Sequence, residues 1–151
     1  MAEFLLGKVT MPYDFIIKAE QHVVFSRGVG VFTHAEYLAH ISRLQREVLF
    51  HPEFDQIVDC RLITKIDITS DQIAMLANMS VFAKSSRRAF VVSSDLNFGL
   101  SRMLATQLEV KKGQQTRVFR DMQEALSWLN LPLDLDPFVA HESRDDTNIA
   151  S

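Results

Sequence analysis

The chain has 151 residues, a length that suits one folded domain with one core. Apolar residues make up 47% and charged residues 23%, which are ordinary values for a globular protein. A net charge of -3 argues against nucleic-acid binding, which needs a dense lysine and arginine surface. No apolar run approaches the roughly 18 residues of a membrane-spanning helix. The single cysteine, Cys60, excludes an internal disulfide and fits the reducing cytoplasm, where we expect the protein.

The first two elements are predicted to be strands. Residues 13–20 alternate apolar and polar side chains, with Tyr13, Phe15 and Ile17 on the apolar side. A period of two with one polar face is typical of an edge or antiparallel strand. A second strand is predicted over residues 22–29.

Capping patterns indicate where two long helices begin. Thr33 lies three residues before Glu36, and Thr69 lies three residues before a glutamine, which is the spacing of a capping box. Helices are therefore predicted after both threonines, the second over residues 70–84. The polar side of the first helix, which includes His40, is predicted to face solvent.

Strands and helices alternate through the rest of the body. Further strands are predicted at residues 56–60, 88–93 and 116–120, with a loop after the first of them. The helix that follows the fourth strand is expected to bury an apolar stripe: Leu96, Leu100, Met103 and Leu104. This order predicts an α/β domain with a mixed five-stranded sheet, parallel except for an antiparallel first strand, and about four helices.

Three regions are predicted along the chain. Residues 1–12 form an N-terminal extension, residues 13–130 the single domain, and residues 131–151 an acidic tail. The tail carries five acidic residues against one arginine, and we expect it to be partly disordered, from about residue 141 onward.

No catalytic, cofactor-binding or metal-ligating group is predicted, and we expect the protein not to be an enzyme. The five histidines lack metal-site spacing, and no phosphate-binding or nucleophile motif is present. Cys60 ends a buried strand and is interpreted as a small core side chain. Asp59 and Arg61, near the end of that strand, are predicted to form a structural pair.

The order of elements resembles the STAS domains, the fold of the anti-sigma-factor antagonists, and is more closely similar to the bacterial SpoIIAA-like proteins. The segments that carry the resemblance are residues 57–61, 89–92, 98–103, 118–121 and 124–129. The resemblance implies a non-catalytic regulatory or protein-interaction module in the cytoplasm.

The resemblance also implies a place for regulation. In STAS antagonists a serine or threonine at the start of the helix after the third strand is phosphorylated, which controls docking to an anti-sigma kinase. The matching stretch here is residues 67–71, so Thr69 and Ser70 are the candidate phospho-acceptors. The family's glycine is missing and Asp71 follows instead, so capping is the favoured role of Thr69.

The helix predicted over residues 70–84 has more apolar surface than one core contact requires. One face is predicted to be buried: Ile73, Leu76 and Ala77. Met75, Met79 and Phe82 lie on another, which a neighbouring helix, a second copy of the chain or an apolar ligand must cover. We expect a homodimer or a groove there. SpoIIAA-like proteins are related in shape to the lipid-binding CRAL-TRIO domains. The alternative function is therefore a carrier or sensor of an apolar ligand or lipid at a groove between helices, and one version of it places the protein at the membrane surface.

Overall fold

The computed structural model describes residues 13–138. Its centre is one five-stranded sheet in the order β1-β2-β3-β4-β5. The strands are β1 (Tyr13–Lys18), β2 (Val23–Thr33), β3 (Asp55–Asp67), β4 (Arg87–Val91) and β5 (Gln115–Phe119). β1 pairs with β2 antiparallel, and the other pairings are parallel, so the predicted sheet is confirmed. The predicted N-terminal extension and the predicted disorder after residue 141 lie outside the described residues.

Helices cover the two faces of the sheet unequally. The described residues form α1 (His34–Arg46), α2 (Ser70–Asn78), α3 (Asp95–Lys112) and α4 (Met122–Trp128), and a 3-10 turn (Ala19–Gln21) joins the first two strands. One core lies between the sheet and α1, α2 and α3, and a second lies between the opposite face and α4. No helix within residues 13–138 is long and apolar enough to cross a membrane.

The predicted caps are confirmed in atomic detail. The hydroxyl of Thr33 accepts a hydrogen bond from the Glu36 backbone N–H at the start of α1. Thr69 and Gln72 form the full capping box of α2: the Thr69 hydroxyl accepts from the Gln72 N–H at 3.2 Å, and the Thr69 N–H donates to Gln72 Oε1 at 3.0 Å. The Ser94 hydroxyl accepts from the backbone of Asn97 and begins α3. These local bonds fix three helix starts.

β3 is longer than predicted, and the predicted loop after residue 60 is strand. β2 continues to Thr33 and provides a parallel partner for β3 as far as Asp67, although β4 pairs only with Gln56–Asp59. The β2–β3 register shifts twice, and Gly30 adopts a φ of +77° at the second shift. That left-handed backbone is one that glycine adopts without a steric cost.

α2 is shorter than predicted and ends at Asn78 rather than at residue 84. The chain then turns inward, and the Ala83 N–H donates to the carbonyl of Pro52 at 2.7 Å. Phe82 is consequently in a loop, where its ring packs edge-on to the ring of Phe50 at 5.4 Å between centroids. The prediction that Phe82 shares a helix face with Met79 is wrong, because the helix ends at Asn78 and Phe82 lies in the loop that follows.

Two predicted helix faces are wrong in part. α3 buries a stripe of mostly small or polar side chains: Asn97, Ser101, Ala105 and Leu108. Leu100 and Leu104 face the core and line a cavity there, as predicted, whereas Leu96 and Met103, also predicted to face inward, are exposed. Asn97, next to Leu96, donates from Nδ2 to the Ile63 carbonyl at 3.0 Å, which holds the neighbouring face of α3 against the sheet. His40, predicted to be solvated, is 2% exposed on α1 and bonds to Ser26.

The packed body extends beyond the predicted boundary at residue 130. Leu131 and Leu135 pack against the α4 core, and Phe138 is buried in it. The guanidinium of Arg27 lies 4.5 Å from the centroid of the Phe138 ring. The first part of the predicted tail is therefore bound to the sheet face that α4 leaves uncovered.

Candidate interaction surface

The outer side of α2 carries two exposed methionines. Met75 and Met79 are one helical turn apart and are 51% and 43% exposed, whereas the opposite side of α2 buries Ile73, Leu76 and Ala77 as predicted. Adjacent methionines form an adaptable apolar surface, because the unbranched side chain fits irregular partners. We call Met75, Met79 and the neighbouring residues described next the methionine surface.

The methionine surface continues onto the loop after α1. Met79 lines a groove of about 480 Å³ together with the apolar Phe50 and Val81 and the polar Gln45 and Ser80. Val48 and Leu49, directly before Phe50 in the chain, are 96% and 58% exposed. Apolar side chains from two elements therefore meet at one end of the helical layer.

Phe82, the third residue predicted for this surface, lies beneath it. Its side chain is 8% exposed and packs with Val24 and Leu44. The structure thus brings Met75 and Met79 together at the surface and places Phe82 in the core that supports them.

The candidate phospho-acceptors lie at the other end of α2. Thr69 and Ser70 are both exposed at its N-terminus, and the Thr69 hydroxyl is occupied by the capping box. A phosphate here would meet the positive end of the helix dipole but also the carboxylate of Asp71 in the first turn. The nine residues of α2 span roughly 13 Å, so these hydroxyls and Met79 occupy opposite ends of one short helix.

An apolar cavity that is partly open to solvent lies between the sheet and the three helices that cover it. Its volume is about 50 Å³, and its walls include Tyr13, Tyr37, Phe90 and Leu104. Pockets for drug-sized ligands measure roughly 300–1,000 Å³. The cavity is therefore large enough for a few small apolar atoms, and a lipid chain would require α2 or α3 to move.

Cys60 and the pair of Asp59 and Arg61 have structural roles. Cys60 is buried, and burial together with the charge of Asp59 raises the pKa of its thiol to about 12, so the thiolate nucleophile is suppressed. Asp59 accepts from the backbone N–H and the guanidinium of Arg61, which confirms the predicted pair. Within residues 13–138, no group of three histidine, cysteine or carboxylate side chains could hold a metal ion.

A buried polar chain crosses the sheet beneath α1 and was not predicted. His40 Nε2 and Ser26 Oγ are 2.9 Å apart, and Gln56 Nε2 donates to the same hydroxyl at 2.9 Å. Gln56 Oε1 in turn accepts from Arg88 Nε at 2.8 Å. Burial, with the charges of Arg43 and Arg88, lowers the pKa of His40 to about 3, so the imidazole is neutral.

The sequence did contain a signal for this polar chain. Gln56 and Arg88 each occupy an inward position near the start of an otherwise apolar strand, and parallel pairing places them side by side. A polar side chain at the edge of an apolar run is usually exposed, so the pattern does not by itself predict burial.

The sheet order and the four helices define a SpoIIAA-like α/β domain. Consistent with this, the chain is similar in structure to an uncharacterized protein of the DUF3478 family with a SpoIIAA-like fold, from Shewanella loihica PV-4. The match covers 78% of this chain and 91% of that chain, with a TM-score of 0.52 and 18% sequence identity. That likeness confirms the predicted fold. No protein-family model matches the chain, and no curated protein matches it in sequence.

Proposed function

We propose that the protein is a non-catalytic interaction module that self-associates through the methionine surface. The observation that carries the proposal is the exposure of Met75 and Met79 side by side on a short helix. Monomeric proteins rarely expose large contiguous apolar patches, and such patches mark interaction sites. The SpoIIAA-like fold supports a regulatory or interaction role. A single buried cysteine fits the cytoplasm, which is the location we propose.

A second copy of the chain is the partner that the chemistry of α2 favours. The helix carries one charged residue, Asp71, in its nine positions. A two-fold interface brings each surface against itself, so a charged face would repel its own copy, whereas a nearly neutral apolar face would not. Two methionine pairs meeting across such an axis would bury the exposed thioethers.

Sedimentation of Met79→Glu against wild type tests the proposal. We expect the wild type to form a concentration-dependent dimer and the variant to be monomeric. At a subunit concentration where the wild type is also monomeric, the two urea midpoints are expected to agree, because Met79 is already half exposed. Met103→Glu is the matched control, since Met103 is 42% exposed on α3, away from the groove. A monomeric wild type at about 1 mM subunits, where even a weak dimer forms, would refute the proposal. So would an equal effect of the control variant.

A carrier or sensor of an apolar ligand is the second candidate function, and the apolar lining of the cavity supports it. The walls of the cavity are almost entirely apolar, which suits a hydrocarbon and excludes a charged metabolite. Native mass spectrometry of freshly purified protein separates the two candidates. A stoichiometric bound lipid would favour the carrier, whereas a ligand-free dimer would favour the interaction module.

We also propose, on less evidence, that phosphorylation of Thr69 or Ser70 regulates the interaction module. The helix N-terminus favours an anion, but Asp71 opposes it and Thr69 is already engaged as a cap. Incubation with cell extract and ATP, followed by peptide mapping, tests it. If peptide mapping finds stoichiometric phosphate at either residue, the main role of this segment is phosphorylation and not capping.

A further inference from the structure

The outer edge of β5 is a second surface on which another chain can pair, and it is independent of the methionine surface. β5 ends the sheet order and pairs only with β4 among the described residues. The Phe119 carbonyl accepts from the N–H of Val92, directly after β4, so Phe119 directs its backbone groups inward. Because this direction alternates along a strand, Thr116 and Val118 direct their N–H and C=O groups outward, toward the position of an added strand.

α3 lines a groove along this edge and carries two charges of opposite sign there. Arg102 and Glu109 are exposed on the groove side of α3. Within the described part of the chain, neither side chain has an ion-pair partner. They are roughly 10 Å apart along the helix axis, and Ala105 and Thr106 line the groove between them. The groove side of α3 is therefore basic at one end, has small side chains in the middle and is acidic at the other end.

The midpoint between these two charges is level with Val118. α3 and β5 run in opposite directions and are joined by a short turn at Gly113. Thr106 lies roughly 9 Å from the end of α3 at Lys112, and Val118 lies roughly 10 Å from the start of β5 at Gln115. A two-fold axis that crosses the outer edge of β5 at Val118 therefore also passes the middle of the charged groove.

We propose that two copies of the chain join through their β5 edges, antiparallel, about a two-fold axis at Val118. Val118 would exchange main-chain hydrogen bonds with Val118 of the second copy, and Thr116 with Arg120 of the second copy, about six bonds in all. The same axis brings Arg102 of each copy beside Glu109 of the other, so both charges gain a partner. A second copy is thus the occupant whose charges complement this groove.

The α4 face of β5 favours the same register. Arg117 and Phe119 lie on that face, where both contact the Trp128 ring. With the axis at Val118, Arg117 of one copy lies opposite Phe119 of the other, which allows a cation–π contact across the strands. An axis at Arg117 would instead place the two Arg117 side chains directly opposite each other, where like charges repel. The side chains on both faces therefore select the axis at Val118.

This contact is expected to be weaker than the one through the methionine surface. Its ion pairs are exposed to solvent, and each edge offers only the five residues of β5. Met79→Glu, which removes the methionine contact, is therefore expected to be monomeric at low concentration and to pair through β5 as it approaches about 1 mM subunits. Because this variant lacks the methionine contact, the test does not depend on whether the methionine surface self-associates.

A charge-swap series in the full-length Met79→Glu chain tests the proposal by sedimentation. Arg102→Glu and Glu109→Arg each place like charges together across the axis, and each is expected to weaken dimerisation about tenfold or more. Arg102→Glu combined with Glu109→Arg restores opposite charges and is expected to restore the dimer. A Met79→Glu chain that stays monomeric at about 1 mM, or a combined variant as weak as the single ones, would overturn the proposal.

Glu20→Arg is the matched control, because it makes the same charge change as Glu109→Arg at an exposed position near β1, at the other edge of the sheet. It is expected to dimerise as the Met79→Glu parent does. An equal loss in the control would reduce the effect to net charge and overturn the proposal.

Hydrogen exchange identifies the paired edge. A rise in subunit concentration is expected to slow exchange of the outward amides of Thr116 and Val118 more than that of Arg117 and Phe119, which already face β4. Unchanged exchange across the dimerisation range would overturn pairing through β5. Slow exchange of the outward amides at every concentration would mean that another segment of the same chain covers this edge, and it would overturn the second copy as the occupant.

Discussion

Two arginines on opposite faces of the sheet are held in different ways. Arg88, under the helical layer, is 1% exposed and is held by neutral groups, with Gln56 as its closest hydrogen-bond partner. Arg61, on the α4 face, has a side chain that is 32% exposed and pairs with the carboxylates of Asp59 and Asp136. The buried Arg88 guanidinium therefore contacts neutral polar groups and aromatic rings, whereas the partly exposed Arg61 guanidinium contacts carboxylates.

The difference follows from how far each arginine side chain is buried. The rings of Phe82 and Phe90 lie 5.2 and 5.8 Å from the Arg88 guanidinium, and aromatic faces stabilise a desolvated cation without burying a second charge. The carboxylates of Asp59 and Asp136 are themselves buried, but the Arg61 side chain remains partly in solvent, so these ion pairs do not fully desolvate both charges. Arg61 uses one of them to hold the segment around Asp136 against the sheet.

The largest expected effect comes from removing the buried arginine. Arg88→Ala leaves Gln56 Oε1 without its donor and opens a cavity between two phenylalanine rings, so we expect a loss of about 3–5 kcal/mol in the free energy of unfolding. Urea denaturation measures it. Replacing both partners, with Arg88→Met and Gln56→Leu, is expected to recover most of the loss. If the double variant is as unstable as Arg88→Ala, the polar contacts are not the cause.

The same buried region predicts a pH dependence. His40 has a folded pKa of about 3 against an ordinary value of 6.5, so the unfolded chain binds the proton first as the pH falls. The neutral His40 side chain therefore contributes fully to the free energy of unfolding above pH 6.5. Between pH 6.5 and 3 that contribution is lost, at about 1.4 kcal/mol per pH unit. Urea midpoints measured from pH 7.5 to 4.5 test this. His40→Gln is the control, and an identical pH slope in that variant would exclude His40 as the source.

The Arg61 cluster is expected to show smaller effects in a defined order. Asp59→Asn should cost about 2 kcal/mol, because Asp59 is buried and makes three bonds to Arg61. Asp136→Asn should cost about 1 kcal/mol, because the 3.3 Å contact with Arg61 is partly screened by solvent. Denaturant unfolding of both variants measures the order, and the reverse order would contradict the dependence on burial.

The smallest expected effect is at the exposed cap of α2. Thr69→Ala removes the acceptor for the Gln72 N–H and should cost about 0.5–1 kcal/mol. Thr69→Ser keeps the hydroxyl and is expected to be within 0.3 kcal/mol of wild type, as is usual for good N-cap residues. Thermal unfolding of the two variants tests this. Equal losses in both would show that the methyl group, rather than the cap, stabilises this helix start.

Some of the candidate site followed directly from the sequence, and some did not. Met75 and Met79 were predicted to share a face distinct from Ile73 and Leu76, since helical period alone separates them. Phe82 was assigned to the same face and is buried, because α2 ends at Asn78 and the following loop, where Ala83 bonds to Pro52, carries Phe82 into the core. The residues between Asn78 and Lys84 have no helix-breaking pattern that would have indicated this.

The sequence by itself determined the order of elements, their type and two helix starts. Each depends on interactions within a few residues, such as the bond between Thr69 and Gln72 or the two-residue period of β1. The tertiary structure alone decided the burial of His40 and Arg88, the rotation of α3 and the extension of β3 to Asp67. These features depend on partners that lie many residues away, because a polar side chain can be buried only where a distant strand or loop provides its hydrogen bond.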